Sequence, residues 1–395
     1  MEIQERVKKK PLTRFGEFEL LKAIAIMGLP AVHVMEEAIE DGIANPAMTN
    51  FGSAVIGLCA FGPSVFMICM GFGIGGGRTS ADGIRRSGIQ FLLIGLLLNI
   101  FRWFLPGLVQ AVVLHTRLIE DINFCLQSDI YYFVGFYFIL YSYLKQRKLR
   151  GASVLLISIL LLTLNGLLTP LTGKYITNEI AASIVGNFVY VNGTSCFPLL
   201  SWAVFPSVGV LLGEVLKAAD EERRGVIMRW LLDFSVVLFL SFCFFLADYD
   251  IDISKALISP ANEYITDLPN VLLLVSLALL LIGLTYYLCK WIGASPFMAF
   301  MLRVSAFIMP FYLLQWVIIS WLFYGLAIAR APENCMGPGL YIFCVVVITA
   351  VCTFISTRYG MKIMKVLLKY TTIKKRRRKK KAKETAGVHA EKESK

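Results

Sequence analysis

Charged side chains are scarce in this sequence of 395 residues. Asp, Glu, Lys and Arg make up only 17% of the chain, whereas hydrophobic residues make up 57% and the mean hydropathy is +0.68. Soluble domains are usually about 45–50% apolar and about 25% charged. The composition therefore does not fit a water-soluble fold, since the excess apolar surface has to face something other than water.

Cysteine pairs with the CxxC spacing of metal and redox sites are also lacking, although the chain has nine cysteines. Most of the cysteines lie in apolar runs, where a thiol behaves as a small buried hydrophobic group. Cys125 and Cys196 fall near predicted outer loops, so a disulfide between them is left open. We expect no metal site. We also expect no cleavable signal peptide, because Glu17 and Glu19 do not fit that pattern.

Ten apolar segments are each long enough for a membrane helix, which needs about 20 mostly apolar residues. They are 17–38, 52–77, 88–106, 124–144, 151–172, 196–216, 226–247, 269–289, 304–326 and 338–357. The predicted fold is an all-α polytopic membrane protein with a single bundle, because no linker could hold another domain. We expect a basic N-terminal segment (1–16), a transmembrane domain (17–358) and a basic, disordered tail (359–395).

Lys and Arg are distributed unevenly over the loops. With the N-terminus inside, the inner loops carry thirteen of them and the outer loops carry four. Because basic loops stay on the cytoplasmic side, we expect both termini to be cytoplasmic. The run from Lys374 to Lys381 then lies near an anionic membrane surface. No nucleic-acid partner is expected, because nothing folded accompanies this run.

Seven ionisable residues in or next to the predicted spans are taken as candidates, because a charge at membrane depth is costly and a functional role is the default expectation. They are Lys22, His33, Arg102, Asp129, Glu214, Asp233 and Arg303.

Lys22 and His33 share the first predicted helix and are 11 residues apart. This spacing is close to three turns, so both side chains point the same way, about 16 Å apart along the axis. Pro30 predicts a kink beside His33. The alternative is that Lys22 extends to the lipid headgroups and His33 makes only a structural hydrogen bond.

His33, Arg102 and Asp129 are predicted to lie at similar depth on three consecutive helices. A carboxylate that holds a histidine is the arrangement of a general base. The alternative is an ion pair between Arg102 and Asp129 that only ties two helices together. The spacing leaves both interpretations open.

The segment from Gly71 to Gly77 contains a formal GxGxxG motif, but no strand precedes it. A dinucleotide-binding site is therefore rejected. The small residues predict close helix packing. A secondary hypothesis is that exposed backbone amides in this segment hold a phosphate.

Several segments resemble, in order, motifs of the transmembrane acyltransferase superfamily, which includes the acyltransferase-3 family, the YeiB-like proteins and heparan-α-glucosaminide N-acetyltransferase. The segments are Phe18–Ile26 with His33, Phe61–Phe72, Arg85–Arg86, Leu126–Ile130, Cys196–Trp202 with Gly209 and Leu211–Glu214, and Arg303–Ser305 with Tyr312–Trp316. They cover residues 14–330. Lys22 stands where the family has Arg, and a lysine cannot make the forked contact of a guanidinium. Met70 and Leu302 also depart from the pattern, which has Ser and Gly there.

The resemblance implies O- or N-acyl transfer across the membrane. The expected donor is acetyl-CoA or another acyl-CoA on the cytoplasmic side, and the expected acceptor is a sugar of an extracytoplasmic glycan. Four cations are candidates for holding the donor phosphates. They are Lys22, Arg85, Arg86 and Arg303.

The resemblance also implies the chemistry of the site. His33 would deprotonate the acceptor or carry the acyl group briefly. Asp129 would orient or stabilise His33, and Arg102 or Gln315 would stabilise the oxyanion.

The rival hypothesis is a membrane transporter or flippase, and a non-catalytic scaffold is a third. Transporters often contain internal repeats, and the first and last five predicted spans share no motif order. We expect a multi-pass protein of a bacterial cytoplasmic membrane, surrounded by the lipid bilayer. Whether it forms homo-oligomers is left open.

Overall fold

Helices account for nearly all of the regular structure in a computed structural model of the protein. The structure describes residues 15–59, 61–77, 79–115, 125–126, 129–191, 195–248 and 268–371. Within these ranges the chain is all-α, with one isolated parallel β-bridge between Ala44 and Met336. The predicted fold class, an all-α polytopic membrane protein, is confirmed.

The helices are numbered here in chain order. They are α1 (Gly16–Glu40), α2 (Pro46–Cys59), α3 (Gly62–Ile74), α4 (Ala81–Asn99), α5 (Leu105–Leu114), α6 (Ile130–Gln146), α7 (Gly151–Tyr175), α8 (Glu179–Val185), α9 (Leu199–Trp202), α10 (Val204–Ala218), α11 (Glu221–Asp248), α12 (Leu268–Ile292), α13 (Pro296–Ala306), α14 (Ile308–Ile328) and α15 (Pro338–Thr371). A π-helical segment, Ile100–Phe104, joins α4 to α5.

Among the residues that the structure describes, eight stretches of helix are long and apolar enough to cross a membrane. Two of the ten predicted segments differ. The segment 52–77 falls on α2 and α3, which are separate helices of 14 and 13 residues. The fourth segment falls mainly on α6, which has 17 residues. Hydropathy locates both regions, but it does not register where the backbone interrupts a helix.

Helix α1 is the centre of the bundle. It packs against α2, α3, α12, α13, α14 and α15. Leu20, Ala23 and Val34 on this helix are completely buried. A helix that is apolar on most sides has to be enclosed by other helices or by lipid. The helix continues through Pro30 without interruption, so His33 is carried on a helix that other helices largely enclose.

Glycines bring α3 and α10 into close contact. A Cβ atom at Gly71 would overlap the carbonyl of Pro206, and one at Gly209 would overlap the carbonyl of Ile68. The predicted close packing of the glycine-rich segment is therefore confirmed, as expected where backbones approach through small residues.

Carbonyl groups at the end of the glycine-rich segment accept hydrogen bonds from the ammonium group of a lysine side chain. Lys217 Nζ donates to the carbonyl oxygens of Phe72, Gly73 and Gly75, the last at 2.6 Å. These groups form the C-terminus of α3, which is the negative end of a helix. The segment therefore offers no support for the phosphate hypothesis.

The sequence-based boundaries differ from the structure at the C-terminal end. Helix α15 runs on to Thr371, so residue 358 does not end the helix. Cys125 and Cys196 form no disulfide with each other, and Cys125 Sγ donates to the carbonyl oxygen of Asn99 at 3.6 Å. The run 374–381 lies outside the described residues.

Replacing Gly209 by Ala tests the packing of α3 on α10. The added methyl group would meet a backbone carbonyl that cannot move aside, so we expect the free energy of unfolding to fall by about 1–3 kcal/mol. The control is Gly166→Ala in α7, where a Cβ meets no atom within 4 Å. Thermal unfolding of both variants in detergent micelles measures the difference, and equal melting temperatures would contradict the packing.

Candidate functional site

His33 lies on α1 with its ring held from two sides by α14. Its Nδ1 atom is 3.3 Å from Nε2 of Gln315, and its ring stacks on that of Trp316 with centroids 3.8 Å apart and an interplanar angle of 23°. His33 is 9% exposed and Gln315 is completely buried. Gln315 and Trp316 follow Tyr312 by three and four residues, so all three lie on one face of α14.

Arg102 comes from the π-helical segment between α4 and α5. A π-turn contains an extra residue and changes the direction of its side chains, and such turns are frequent at functional sites. The Arg102 guanidinium lies 3.6 Å from Oε1 of Glu37 and 3.7 Å from Oδ2 of Asp129. Its side chain is only 12% exposed, so a buried cation is shared between two buried carboxylates.

Trp316 separates Arg102 from His33. The guanidinium carbon of Arg102 is 3.1 Å from the centroid of the Trp316 ring, and the His33 centroid is 3.8 Å from it. Two groups this close to one ring cannot share the same face without overlapping. The indole therefore has the guanidinium on one face and the imidazole on the other, which fixes the position of both groups. Cation–π contact adds to the ion pairs that hold Arg102.

Asp129 contacts Arg102 rather than His33. As the N-cap of α6 it accepts a hydrogen bond from the backbone N–H of Tyr131 at 2.9 Å. It also accepts one from the hydroxyl of Tyr312 at 3.2 Å. The ion pair between Arg102 and Asp129 is thus present, and Gln315 is the side chain that contacts the His33 ring nitrogen. Asp129 is connected to His33 indirectly, through Tyr312, whose ring meets the imidazole edge-on at 6.4 Å, and through Arg102 and the Trp316 ring.

Four buried polar atoms around these rings lack a hydrogen-bond partner among the residues that the structure describes. They are Oε1 of Gln315, Nε of Arg102, Nε1 of Trp316 and Oγ of Ser320. Buried polar groups are nearly always hydrogen-bonded, so each of these atoms needs an explanation. Gln315 and Trp316 contact His33 and Arg102 stacks on Trp316, so three of the four atoms belong to the stack itself, where a bound substrate would be within reach of them.

Lys22 marks the other end of the same face of α1. Its Nζ atom lies 2.9 Å from Oε1 of Glu19. The second oxygen of Glu19 accepts a hydrogen bond from Ser305 at 2.6 Å. Arg303 is on the same helix as Ser305, α13, and its side chain is exposed. Helix α13, which carries Arg303, therefore packs against α1, which carries Lys22.

Arg85 and Arg86 lie exposed in the first two turns of α4. Arg85 pairs with Asp82 of its own helix at 3.2 Å. This local pair places neither arginine against Lys22 or Arg303.

Sequence reasoning missed two members of the site. Glu37 is not among the candidates, because it lies close to the end of the first predicted span, but it is part of α1 and contacts Arg102. Its position four residues after His33 puts it on the same face of the helix. The helical spacing could therefore have identified Glu37 as a neighbour of His33. Trp316 stood in a motif that the resemblance had marked, but an aromatic residue in an apolar helix does not show by itself which side it faces.

The model of the acyltransferase-3 family, described as an acyltransferase domain, matches residues 15–358. The chain belongs to the acyltransferase-3 family. This span includes every residue of the site around His33 as well as Lys22 and Arg303. Comparison with curated proteins and with solved structures gave no match in either case. Membership confirms the predicted resemblance and makes this a membrane acyltransferase in general.

Arg102→Met tests whether the buried cation holds the acyltransferase site together. Glu37 and Asp129 would then be left buried without their counter-charge, and breaking such a pair costs about 3–5 kcal/mol of unfolding free energy. Unfolding in a graded detergent series measures the loss. The matched control is Arg85→Met, since the pair of Arg85 with Asp82 is exposed and is worth at most about 1 kcal/mol. Equal stabilities for the two variants would contradict the role of Arg102.

Proposed function

We propose that this protein transfers an acyl group, with acetyl expected, from acyl-CoA on the cytoplasmic side to an acceptor on the opposite side. The proposed acceptor is a sugar hydroxyl or amine of a surface glycan. The observation that carries the proposal is the buried His33, held between Gln315 and the Trp316 ring. It lies three turns along α1 from Lys22, whose side chain is 22% exposed and pairs with Glu19. One helix thus carries both a cation and a buried base.

His33 acts in this proposal as the general base. Its neutral ring has one nitrogen that donates and one that accepts. When the Gln315 amide is turned so that Oε1 accepts from Nδ1–H, the lone pair of Nε2 is free to take the acceptor proton. Turning the amide gives the unpartnered Oε1 of Gln315 a donor in Nδ1–H and leaves the NH2 group of Gln315 able to donate to the substrate. The acceptor oxygen or nitrogen then attacks the thioester carbonyl, and the CoA thiolate leaves.

Arg102 and Gln315 supply the donors for the developing oxyanion. Two of the guanidinium nitrogens face Glu37 and Asp129, while Nε lacks a partner and has its N–H to donate. Donors that are fixed before the reaction stabilise developing charge most effectively. Asp129 acts here through Arg102 as a positioning residue, since its own contacts are to Arg102, Tyr131 and Tyr312.

Lys22 and Arg303 are the proposed contacts for the donor phosphates, with Arg85 and Arg86 as further candidates on the same side. Phosphate binding in this place requires Lys22 to exchange its contact with Glu19 for one with the donor. An ammonium is a point charge that suits a phosphate without a fixed geometry. Donor affinity that is unchanged in Lys22→Gln would contradict this placement.

The proposed setting is a bacterial cytoplasmic membrane with both termini inside. The uneven distribution of Lys and Arg over the loops supports this orientation.

Transfer of radiolabelled acetate from acetyl-CoA by the full-length protein in liposomes tests the proposal. We expect His33→Ala to lower the rate at least about 100-fold, since a general base contributes roughly 10²–10⁴-fold. His115→Asn is the matched control. His115 has a left-handed backbone with φ of 55°, which Asn tolerates, and it should keep the wild-type rate.

Two outcomes would contradict the proposal in different ways. A His33→Ala variant that retains the full rate would remove His33 as the base while keeping the acyl-CoA reaction. Wild-type protein without turnover and without saturable CoA binding would favour the transporter or flippase, and the next assay would be substrate flux.

A further inference from the structure

Helix α15 is longer than a membrane span requires. It has 34 residues, which is about 51 Å at about 1.5 Å per residue, against a hydrocarbon core of about 30 Å.

Contacts at both ends of α15 show how it runs relative to α1. The hydroxyl of Tyr341 near its start donates to the carbonyl of Ala31 at 2.8 Å. Its later turns reach Phe307 through Gly360, and Phe307 follows closely on Ser305, which contacts Glu19. The helix therefore runs antiparallel to α1 and continues past the level of the Lys22 end.

Four basic residues form a stripe on these last turns. They are Arg358, Lys362, Lys365 and Lys369, and all four are exposed. Their spacing of four, three and four residues keeps them on one face of a helix. At 100° per residue they lie within about 40° of the direction opposite Gly360. Since Gly360 packs against the Phe307 ring, the stripe points away from the bundle.

Aromatic side chains place the stripe at the membrane boundary. Tyr359 is 43% exposed and lies beside Arg358, and Trp291 at the end of α12 is 84% exposed. Cys289, near Trp291, lies at the level of Gly16 at the start of α1. Exposed Tyr and Trp collect where lipid headgroups begin. The stripe thus starts in the headgroup region and extends beyond it.

We propose that the Arg358, Lys362, Lys365 and Lys369 face of α15 binds the anionic headgroups of the adjacent membrane leaflet. Basic residues close to an anionic surface are each attracted to it over about a Debye length. The stripe is followed in sequence by the run Lys374–Lys381, and the helix itself would hold its four charges in fixed positions at the membrane surface. This proposal is independent of the acyl-transfer reaction.

The association of spin-labelled phosphatidylglycerol with the full-length protein in phosphatidylcholine nanodiscs tests the proposal. In the variant with Arg358→Gln, Lys362→Gln, Lys365→Gln and Lys369→Gln, we expect selectivity for the anionic lipid over phosphatidylcholine to fall at least about fivefold, the effect of one surface charge. Wild-type selectivity should also weaken in high salt.

A charge-matched variant controls for the loss of four positive charges. It carries Lys148→Gln, Arg150→Gln, Arg223→Gln and Arg229→Gln, which are exposed positions on other helices and loops. The proposal expects this variant to keep most of the wild-type selectivity, with an unchanged melting temperature in both. Selectivity that persists without the stripe, or that falls equally in the control, would overturn it.

Discussion

The charge of Arg102 has to be neutralised inside the bundle, and much of the site follows from how this is done. An arginine stays protonated in any protein environment, and a single buried ion is very costly. Glu37 from α1 and Asp129 from the start of α6 supply the counter-charge. The aromatic face of Trp316 covers the guanidinium at 3.1 Å. Arg102 of the π-helical segment thereby contacts residues of three other elements, α1, α6 and α14.

The same contact determines the surroundings of His33. Because Trp316 is fixed by Arg102 on one face, its other face offers a rigid surface for the imidazole. Gln315, next to it in the chain, then lies at hydrogen-bonding distance from Nδ1. Catalytic groups work best when packing and neighbouring hydrogen bonds hold them in place. These contacts hold His33 in one position, as the proposed role of a general base requires.

Hydropathy located the helices because lipid requires long apolar segments with internally satisfied backbones. It did not show that the segment 52–77 is divided between α2 and α3, or that a π-turn carries Arg102, since both depend on local backbone register. His33, Arg102 and Asp129 were found because ionisable residues are rare in spans. Gln315 came only from the family resemblance.

The remaining members of the site required three-dimensional contacts. Glu37 looks like a loop residue when a span is assumed to end near residue 38, although the helix continues to Glu40. Trp316 is one of many aromatic residues in apolar helices, and composition does not reveal which of them stacks on a cation. The donor-side role of Lys22 stays a prediction.

The acyl-transfer rates of Trp316→Phe and Trp316→Leu test most directly whether the stack of Arg102, Trp316 and His33 works as a unit. Phe keeps an aromatic face for both neighbours, whereas Leu keeps bulk without a π-system. The account predicts that the Phe variant retains most of the wild-type rate. It predicts that the Leu variant, still folded by its melting temperature, loses at least about tenfold, which is about 1.4 kcal/mol of transition-state stabilisation. A folded Leu variant with the wild-type rate would contradict the central claim.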